Sequence, residues 1–261
     1  NEIIPGKIYV MPMGSVIRSS RITPIYYSDL VARFLRRDQQ NRVLFEAKSV
    51  SYLFPEGNTG LHTLSIQEES GRLVALMGAS GAGKSTLLNV LNGNLPPSTG
   101  EILINGINIH KNPKAIEGLI GYVSQDDLLM EELTVFENLY YNARLCFGNL
   151  SEDDIVKKID KSLDSLGLSE IKHLKVGSPL NKKISGGQRK RLNIALELIR
   201  EPVVLFVDEP TSGLSSRDSE NVMDLLKELA ASGKLVFVVI HQPSSDIFKL
   251  FDKLLLLDTG G

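Results

Sequence analysis

Nine consecutive residues, Gly78-Ala79-Ser80-Gly81-Ala82-Gly83-Lys84-Ser85-Thr86, satisfy the spacing G-x-x-x-x-G-K-[ST] in full. Glycines let backbone N–H groups wrap phosphate oxygens without Cβ clashes. Lys84 supplies a point charge for β- and γ-phosphates, and the Ser85 hydroxyl can ligate Mg2+. The apolar "LVALM" precedes the loop and the helical "TLLNVLNG" follows it. That strand–loop–helix setting separates a phosphate cradle from a chance cluster of glycines. Gly78, Ser80, Gly81, Ala82, Gly83, Lys84, Ser85 and Thr86 are the candidate nucleotide-binding residues.

Acids follow at a second place. The buried-strand pattern "VVLFVDEP" ends in Asp208 and Glu209. Ligands of open α/β sheets sit at the carboxyl ends of strands. Asp208 can therefore hold Mg2+ and its water, while Glu209 can polarise a water for attack on a γ-phosphate. Alone, the pair would read as two acids in an exposed turn; the phosphate loop gives it meaning. "VVIHQP" brings His241 to the same sheet edge, in reach of the γ-phosphate, and "IGYVSQDD" ends a short strand with Gln125, whose amide can reach Mg2+ or the attacking water.

A second anion cradle lies in "ISGGQRKRLNIALELIR". Leu192, Ala195, Leu196 and Ile199 repeat at i, i+3, i+4, i+7, so a buried stripe anchors this helix. Its N-terminus offers the amides of Ser185, Gly186 and Gly187, next to Gln188, with the helix dipole behind them. The segment follows a helical insertion, at a distance from Gln125 that suits a separate lobe. Residues 78–86 already enclose one nucleotide's phosphates, so the economical reading gives this second cradle to another molecule's nucleotide.

The elements that must hold these groups can be read around them. Residues 43–77 alternate as strands with a loop at "PEGNTG", and "GEILINGINI" is a hairpin whose Asn105–Gly106 turn supplies positive φ angles. From about 127 to 185 the pattern is helical, and Ser151-x-x-Asp154 marks one helix start. "PVVLFVDEP" and "KLVFVVIHQP", apolar at every position, are parallel strands covered on both faces. Near the N-terminus, "KIYVM" and "SVIRSSRITPIYY" are short strands or an extended arm. A connecting helix is expected from Ser28, with Leu30, Val31, Phe34 and Leu35 on one face and Arg33, Arg36 and Arg37 on the other.

Bulk properties narrow the classes. The 261 residues are 42% hydrophobic and 23% charged, as in an ordinary globular α/β protein. A net charge of −2 gives no basic face for nucleic acid, and the basic runs at Arg33–Arg37 and Lys182–Arg191 read as solvated surface. The single cysteine, Cys146, excludes an internal disulfide and a cysteine-rich zinc site, and is expected to be a small buried thiol. No apolar run approaches the roughly 18 residues needed to span a bilayer, and no signal-peptide pattern is present. The ends, Asn1 and Gly260–Gly261, suggest a portion of something longer.

The order of phosphate loop, Gln125 loop, "ISGGQ", "VLFVDEP", "SGL" and His241 resembles the nucleotide-binding domain of ABC transporters across about residues 43–259. "SGGQRKR", "DEPTSGL" and "IHQPSSDIF" resemble most the white/pigment-exporter (G-type) subfamily, in which this domain precedes the membrane helices of one chain. The resemblance implies a P-loop NTPase core with a mostly parallel sheet, an antiparallel β subdomain and a helical insertion, about 127–200, carrying the signature. It implies an N-terminal arm and connecting helix over 1–42 and the ATP-binding domain over 43–261. It further implies ATP and Mg2+ as ligands, hydrolysis by Glu209, His241 and Lys84, and metal ligation by Ser85, Gln125 and Asp208. Two such domains, identical or different, would meet head to tail, each ATP lying between one subunit's Gly78–Thr86 and the other's Ser185–Gln188. An adenine-stacking aromatic falls on Phe54, in "SVSYLF", with Tyr52 as the alternative. Partners would be a transmembrane domain, on the same chain or separate, at the cytoplasmic face of a membrane, with export the expected direction and no nucleic acid bound. The family's usual Ser-x-Leu-Asp is here Ser212-Gly213-Leu214-Ser215, which removes a carboxylate. The competing reading is an ABC ATPase acting on nucleic acid or ribosomes. The coiled-coil or zinc-cysteine insertions and the tandem domains of such relatives are missing from this sequence.

Overall fold

The computed structural model describes residues 16–19, 22–26, 42–148, 150–178, 181 and 183–258. The helix expected from Ser28 lies outside the described residues. β1 (Val16–Ser19) and β2 (Ile22–Tyr26) pair antiparallel, so this part of the arm is strand.

Two sheets carry the rest. β3 (Leu44–Leu53) and β4 (Thr59–Glu69) form an antiparallel pair that continues into β6 (Thr99–Ile104) and β7 (Ile107–Asn108), in the order β4-β3-β6-β7. The β6–β7 turn is as expected, with φ of 50° at Asn105 and 78° at Gly106. β5 (Arg72–Gly78) leaves this sheet, although it continues the same alternating stretch of sequence. It joins β8 (Ile120–Val123), β9 (Val204–Asp208), β10 (Leu235–Val239) and β11 (Lys253–Leu257) in a parallel sheet ordered β11-β5-β10-β9-β8.

The central strands β9 and β10 are buried at every position because each face meets a different cover. Val204 and Phe206 of β9, with Leu235 and Phe237 of β10, face the antiparallel sheet, where Phe206 and Phe237 stack at 5.0 Å and Phe45 meets both edge-on. Leu205, Val207, Val236 and Val238 face the helices. Full burial of each such side chain stabilises the fold by about 1.5–3 kcal/mol.

Helix α1 (Lys84–Leu91) follows β5 directly. The insertion supplies α2 (Val135–Cys146), α3 (Glu152–Ser165) and α4 (Gly186–Leu198), and α5 (Ser216–Ala231) links β9 to β10. A short α6 (Ser245–Phe248) precedes β11. Side-chain caps start all of these helices but α1: Thr134 in a capping box with Glu137, Ser151 accepting from the Asp154 N–H, and Ser185, Ser215 and Ser244 likewise. Leu139, Ile155, Leu163 and Leu192 from the insertion share one apolar cluster with Leu73, Leu205 and Val236 of the parallel sheet. The insertion's apolar cluster is thus continuous with that of the parallel sheet, and α4 is the insertion helix that packs on β8.

One small expectation is overturned. Cys146 is only half-buried: the Arg200 Nε–H donates to its sulfur at 3.0 Å and the thiol donates to Asn142 Oδ1 at 3.3 Å. It closes the last turn of α2 at the surface rather than filling a core. Among the described residues no helix is long and apolar enough to cross a membrane.

Candidate functional site

At the carboxyl ends of β5, β9 and β10 an open cleft of about 390 Å3 gathers residues far apart in sequence. The phosphate loop contributes Ser80, Gly81, Gly83, Lys84, Ser85 and Thr86, the antiparallel sheet contributes Phe54, and the far strands contribute Glu209 and His241. Gly83 sits at φ 88° just before α1, a left-handed turn that glycine adopts without Cβ strain. It aims the helix N-terminus into the cleft. The Lys84 ammonium is nearly buried and donates to the carbonyls of Gly78 at 3.0 Å and Ala79 at 2.7 Å. Gly78 lines the adjoining cavity, beside His241, and the Ala82 methyl is packed in the core.

Phe54 is 40% exposed and forms part of the cleft wall. Tyr52 stands behind it, edge-on, with ring centroids 5.2 Å apart. Gly60 lets the Phe54 ring lie close, since a Cβ there would come within 2.7 Å of it. Of the two aromatic candidates, Phe54 is the one that reaches the cleft.

Asp208 ends β9 only 8% exposed, and its Oδ1 is buried with no hydrogen-bond partner among the described residues. Burial pushes its carboxyl above the ordinary range and the neighbouring Glu209 adds to the rise, against weaker pulls from His241, Lys190 and Lys84. An ionised carboxylate in that setting is stabilised by a cation. Together with the Ser85 hydroxyl at the cleft, the donor set fits Mg2+. Glu209 holds a left-handed backbone, φ 42°, pinned by its N–H donating to Val239 O at 3.0 Å. Strain of that kind costs on the order of 1–3 kcal/mol and persists only where the surroundings fix it. His241 Nε2 lies 3.0 Å from Glu209 Oε1.

Two predicted groups lie elsewhere. Gln125 follows β8, exposed and not among the residues that line the cleft, its main-chain carbonyl accepting from Lys190 Nζ at 2.8 Å. The Ser185–Gln188 turn also stands outside this chain's cleft. Its three amides are not all bare, as the sequence suggested. The Ser185 N–H donates to Gln188 Oε1 at 2.7 Å, and the Gln188 N–H returns to Ser185 Oγ at 3.1 Å. The first helical N–H groups, of Gly186 and Gly187, have no partner within a helix.

Part of the basic run is not solvated surface: Lys183 is exposed, but the two residues after the Ser185–Gln188 turn are not. Arg189 and Lys190 are buried and flank Asp127, Arg189 Nε at 3.2 Å and Lys190 Nζ at 3.6 Å. Ser215, singled out in the sequence for the carboxylate it lacks, has a further role there unread: its hydroxyl caps α5 by accepting from the Asp218 N–H at 3.1 Å and donating to Asp218 Oδ2 at 3.0 Å. The signal for it was present: a serine three residues before an aspartate at the start of a helical run.

Comparison with known proteins agrees with this geometry. The family model described as "ABC transporter" matches residues 61–212. The chain is 42% identical over 206 residues to the ABC-type transporter claG of Penicillium crustosum, covering 77% of this chain and 28% of that protein. It is 42% identical over 194 residues to ABC transporter G family member 28 of Arabidopsis thaliana, covering 73% and 17%. It is 38% identical over 245 residues to a probable ATP-dependent permease of Saccharomyces cerevisiae, covering 89% and 23%. The chain thus spans about a quarter or less of the length of these relatives. Among solved structures, cbiO1 of Clostridium perfringens, described as part of the ABC transporter complex cbiONQ, superposes with a TM-score of 0.73 at 30% identity, over 83% of this chain and 85% of that one. With a phosphate loop, a carboxylate pair and a histidine meeting at one sheet edge, this chain belongs to the ABC transporter family, is similar to its G-family members, and is an ATP-binding, ATP-hydrolysing domain.

Proposed function

We propose that this domain drives transport of a substrate across a membrane, in the export direction, from the cytoplasmic face, as one half of a head-to-tail pair sandwiching two ATP molecules. The observation that carries the pairing is the separation of the two phosphate cradles. Phe54, Lys84, Glu209 and His241 share one cleft, and Ser185–Gln188 is not part of it. A helix start with free N–H groups outside its own site suits a nucleotide held by a second domain. In this reading residues 43–261 are the ATP-binding domain, with the helical subdomain at about 127–200, and 1–42 an arm and connecting helix.

Each residue then has a task. Phe54 stacks on adenine. Lys84 exchanges two carbonyls of its own loop for phosphate oxygens, trading neutral acceptors for charged ones. Ser85, Asp208 and, after the Gln125 loop turns inward, the Gln125 amide would hold Mg2+, which supplies charge stabilisation to the β- and γ-phosphates. Glu209 orients the attacking water and accepts its hydrogen bond or proton, and His241 holds the Glu209 carboxylate and the γ-phosphate edge in register. The partner's Gly186 and Gly187 amides complete the charge stabilisation.

A membrane-spanning partner is supported by an uncovered apolar face beside the Gln125 loop. Leu128, Met130, Tyr141 and Leu145 are exposed there, around a cavity of about 240 Å3. The relatives' additional length is ample to supply that partner. The test uses the full-length protein. Glu209→Gln with MgATP is expected to form stable nucleotide-bound pairs by light scattering, and Ser185→Arg in the same background to abolish them while leaving ATP binding intact. Pairs that survive Ser185→Arg would overturn the sandwich.

A further inference from the structure

Arg189 and Lys190 stand directly after the Ser185–Gln188 turn on α4, yet their side chains point away from it into the protein. The Lys190 side chain is only 6% exposed. Its ammonium donates to the main-chain carbonyl of Gln125 at 2.8 Å and to that of Ser124 at 3.5 Å, and lies 3.6 Å from Asp127 Oδ1, an oxygen with no hydrogen bond among the described residues. Asp127 Oδ2 takes Arg189 Nε at 3.2 Å, and Arg189 in turn donates to Gly177 O at 2.5 Å. A buried cation cannot be left without partners at small cost. When α4 moves, the Gln125 loop must follow or strand the Lys190 charge. The helix itself does not absorb the motion, because about five residues at 1.5 Å rise make a stiff link between Ser185 and Lys190.

We propose that Lys190 is a positioning residue for ATP hydrolysis: with Asp127 and Arg189 it clasps the Gln125 loop to α4, so that a partner's nucleotide arriving at Ser185–Gln188 and the turning of Gln125 toward this chain's own nucleotide become one movement. The clasp rests on the sandwich reading above and adds the internal link between its two sites. The basic pair beside the signature acts inward on the Gln125 loop; it does not contact phosphate.

The experiment is a double-mutant cycle on steady-state ATP hydrolysis by the full-length protein, pairing Lys190→Met with Gln125→Ala. Lys190→Met keeps length and volume and leaves Asp127 still paired with Arg189. Each single change is expected to lower kcat about tenfold with KM for ATP within about twofold, and the double variant to fall no further than the worse single one. Lys190→Arg is expected to keep at least half of the activity. A purely structural lysine would give additive losses, and about a hundredfold fall in the double variant would overturn the clasp. So would an unchanged kcat in Lys190→Met or in Gln125→Ala. Should Lys190→Met fail to fold, Lys190→Gln, which retains an N–H donor for the Gln125 carbonyl, goes through the same cycle. Failure of all three Lys190 variants to fold would assign the residue to stability and overturn the proposal. Nucleotide-bound pairs that survive Ser185→Arg in the Glu209→Gln background are the separate result that would remove the parent reading.

Discussion

The His241 imidazole meets Glu209 across 3.0 Å, Nε2 to Oε1, and ties the end of β10 to the end of β9. Both residues are open to the cleft, His241 43% exposed, so neither is buried for packing alone. If Glu209 handles the attacking water and His241 holds Glu209, removing either must slow chemistry more than binding. Glu209→Gln is expected to lower kcat by about 10^2–10^4-fold and His241→Ala by about 10–100-fold, each with KM for ATP within about threefold. Steady-state ATPase assays decide it. A raised KM at unchanged kcat in His241→Ala would make the histidine a ground-state phosphate ligand.

Much of this edge was legible in the sequence, for reasons particular to each element. Gly83 and Lys84 are tied to phosphate chemistry by local geometry, which sequence spacing preserves. Asp208 and His241 follow strands so uniformly apolar that their ends could be located from the text. The buried Arg189–Asp127–Lys190 cluster was not legible, because its partners lie more than sixty residues apart and a basic run reads as surface until the fold closes over it. β5 was hidden among the antiparallel strands for a similar reason. Alternation along a chain does not say which sheet a strand joins. The half-exposed setting of Cys146 depends on Arg200, 54 residues on, and no local pattern carries that contact.

Asp208 makes a pH prediction with a definite sign. Burial and Glu209 raise its carboxyl in the folded, nucleotide-free protein, so the folded state binds more protons there than the unfolded chain. Its contribution to stability therefore falls as pH rises from the ordinary carboxylate value through the raised folded one. Asp208→Asn is expected to raise Tm of the nucleotide-free protein at pH 7 and to flatten that decline, read by thermal melts across pH. The same change removes a charge from the metal site, so half-saturating Mg2+ should rise at least about tenfold. In the wild type, Mg2+ binding should weaken on acidification at a higher pH than an ordinary carboxylate would give. An unchanged Mg2+ requirement in Asp208→Asn would remove Asp208 from the metal site.

Gly187 is buried against the first turn of α5, and a Cβ there would come within 2.5 Å of Asp218 Oδ1. Gly187→Ala must therefore push the Asp218 side chain aside or shift α4 against α5, at the very turn assigned to the partner's nucleotide. This chain's own cleft is lined by other residues and should be unaffected. ATP binding by a fluorescent analogue is expected to stay within about twofold, while hydrolysis falls about tenfold or more and ATP-dependent pairing is lost. A parallel loss of binding would mean that the turn serves the chain's own nucleotide.

Ser215 stands where the family's usual pattern has aspartate, and its hydroxyl both accepts from the Asp218 N–H and donates to Asp218 Oδ2. Serine and aspartate are comparable as caps, so the accepting half of this role survives either residue. The donating half does not. An aspartate at 215 would set a second carboxylate against Asp218, the residue that packs on Gly187. Ser215→Ala is expected to cost about 1 kcal/mol and roughly 2–4 °C in Tm, the ordinary loss of a cap in a domain of this size. Ser215→Asp should keep the cap yet lose stability through like-charge repulsion, and Asp218→Asn in the same background should restore it by turning the second carboxylate into a donor. Thermal melts of the three variants separate capping from charge. Equal Tm for Ser215→Asp with and without Asp218→Asn would show that the two side chains do not sense each other, and that the serine here acts as a cap alone.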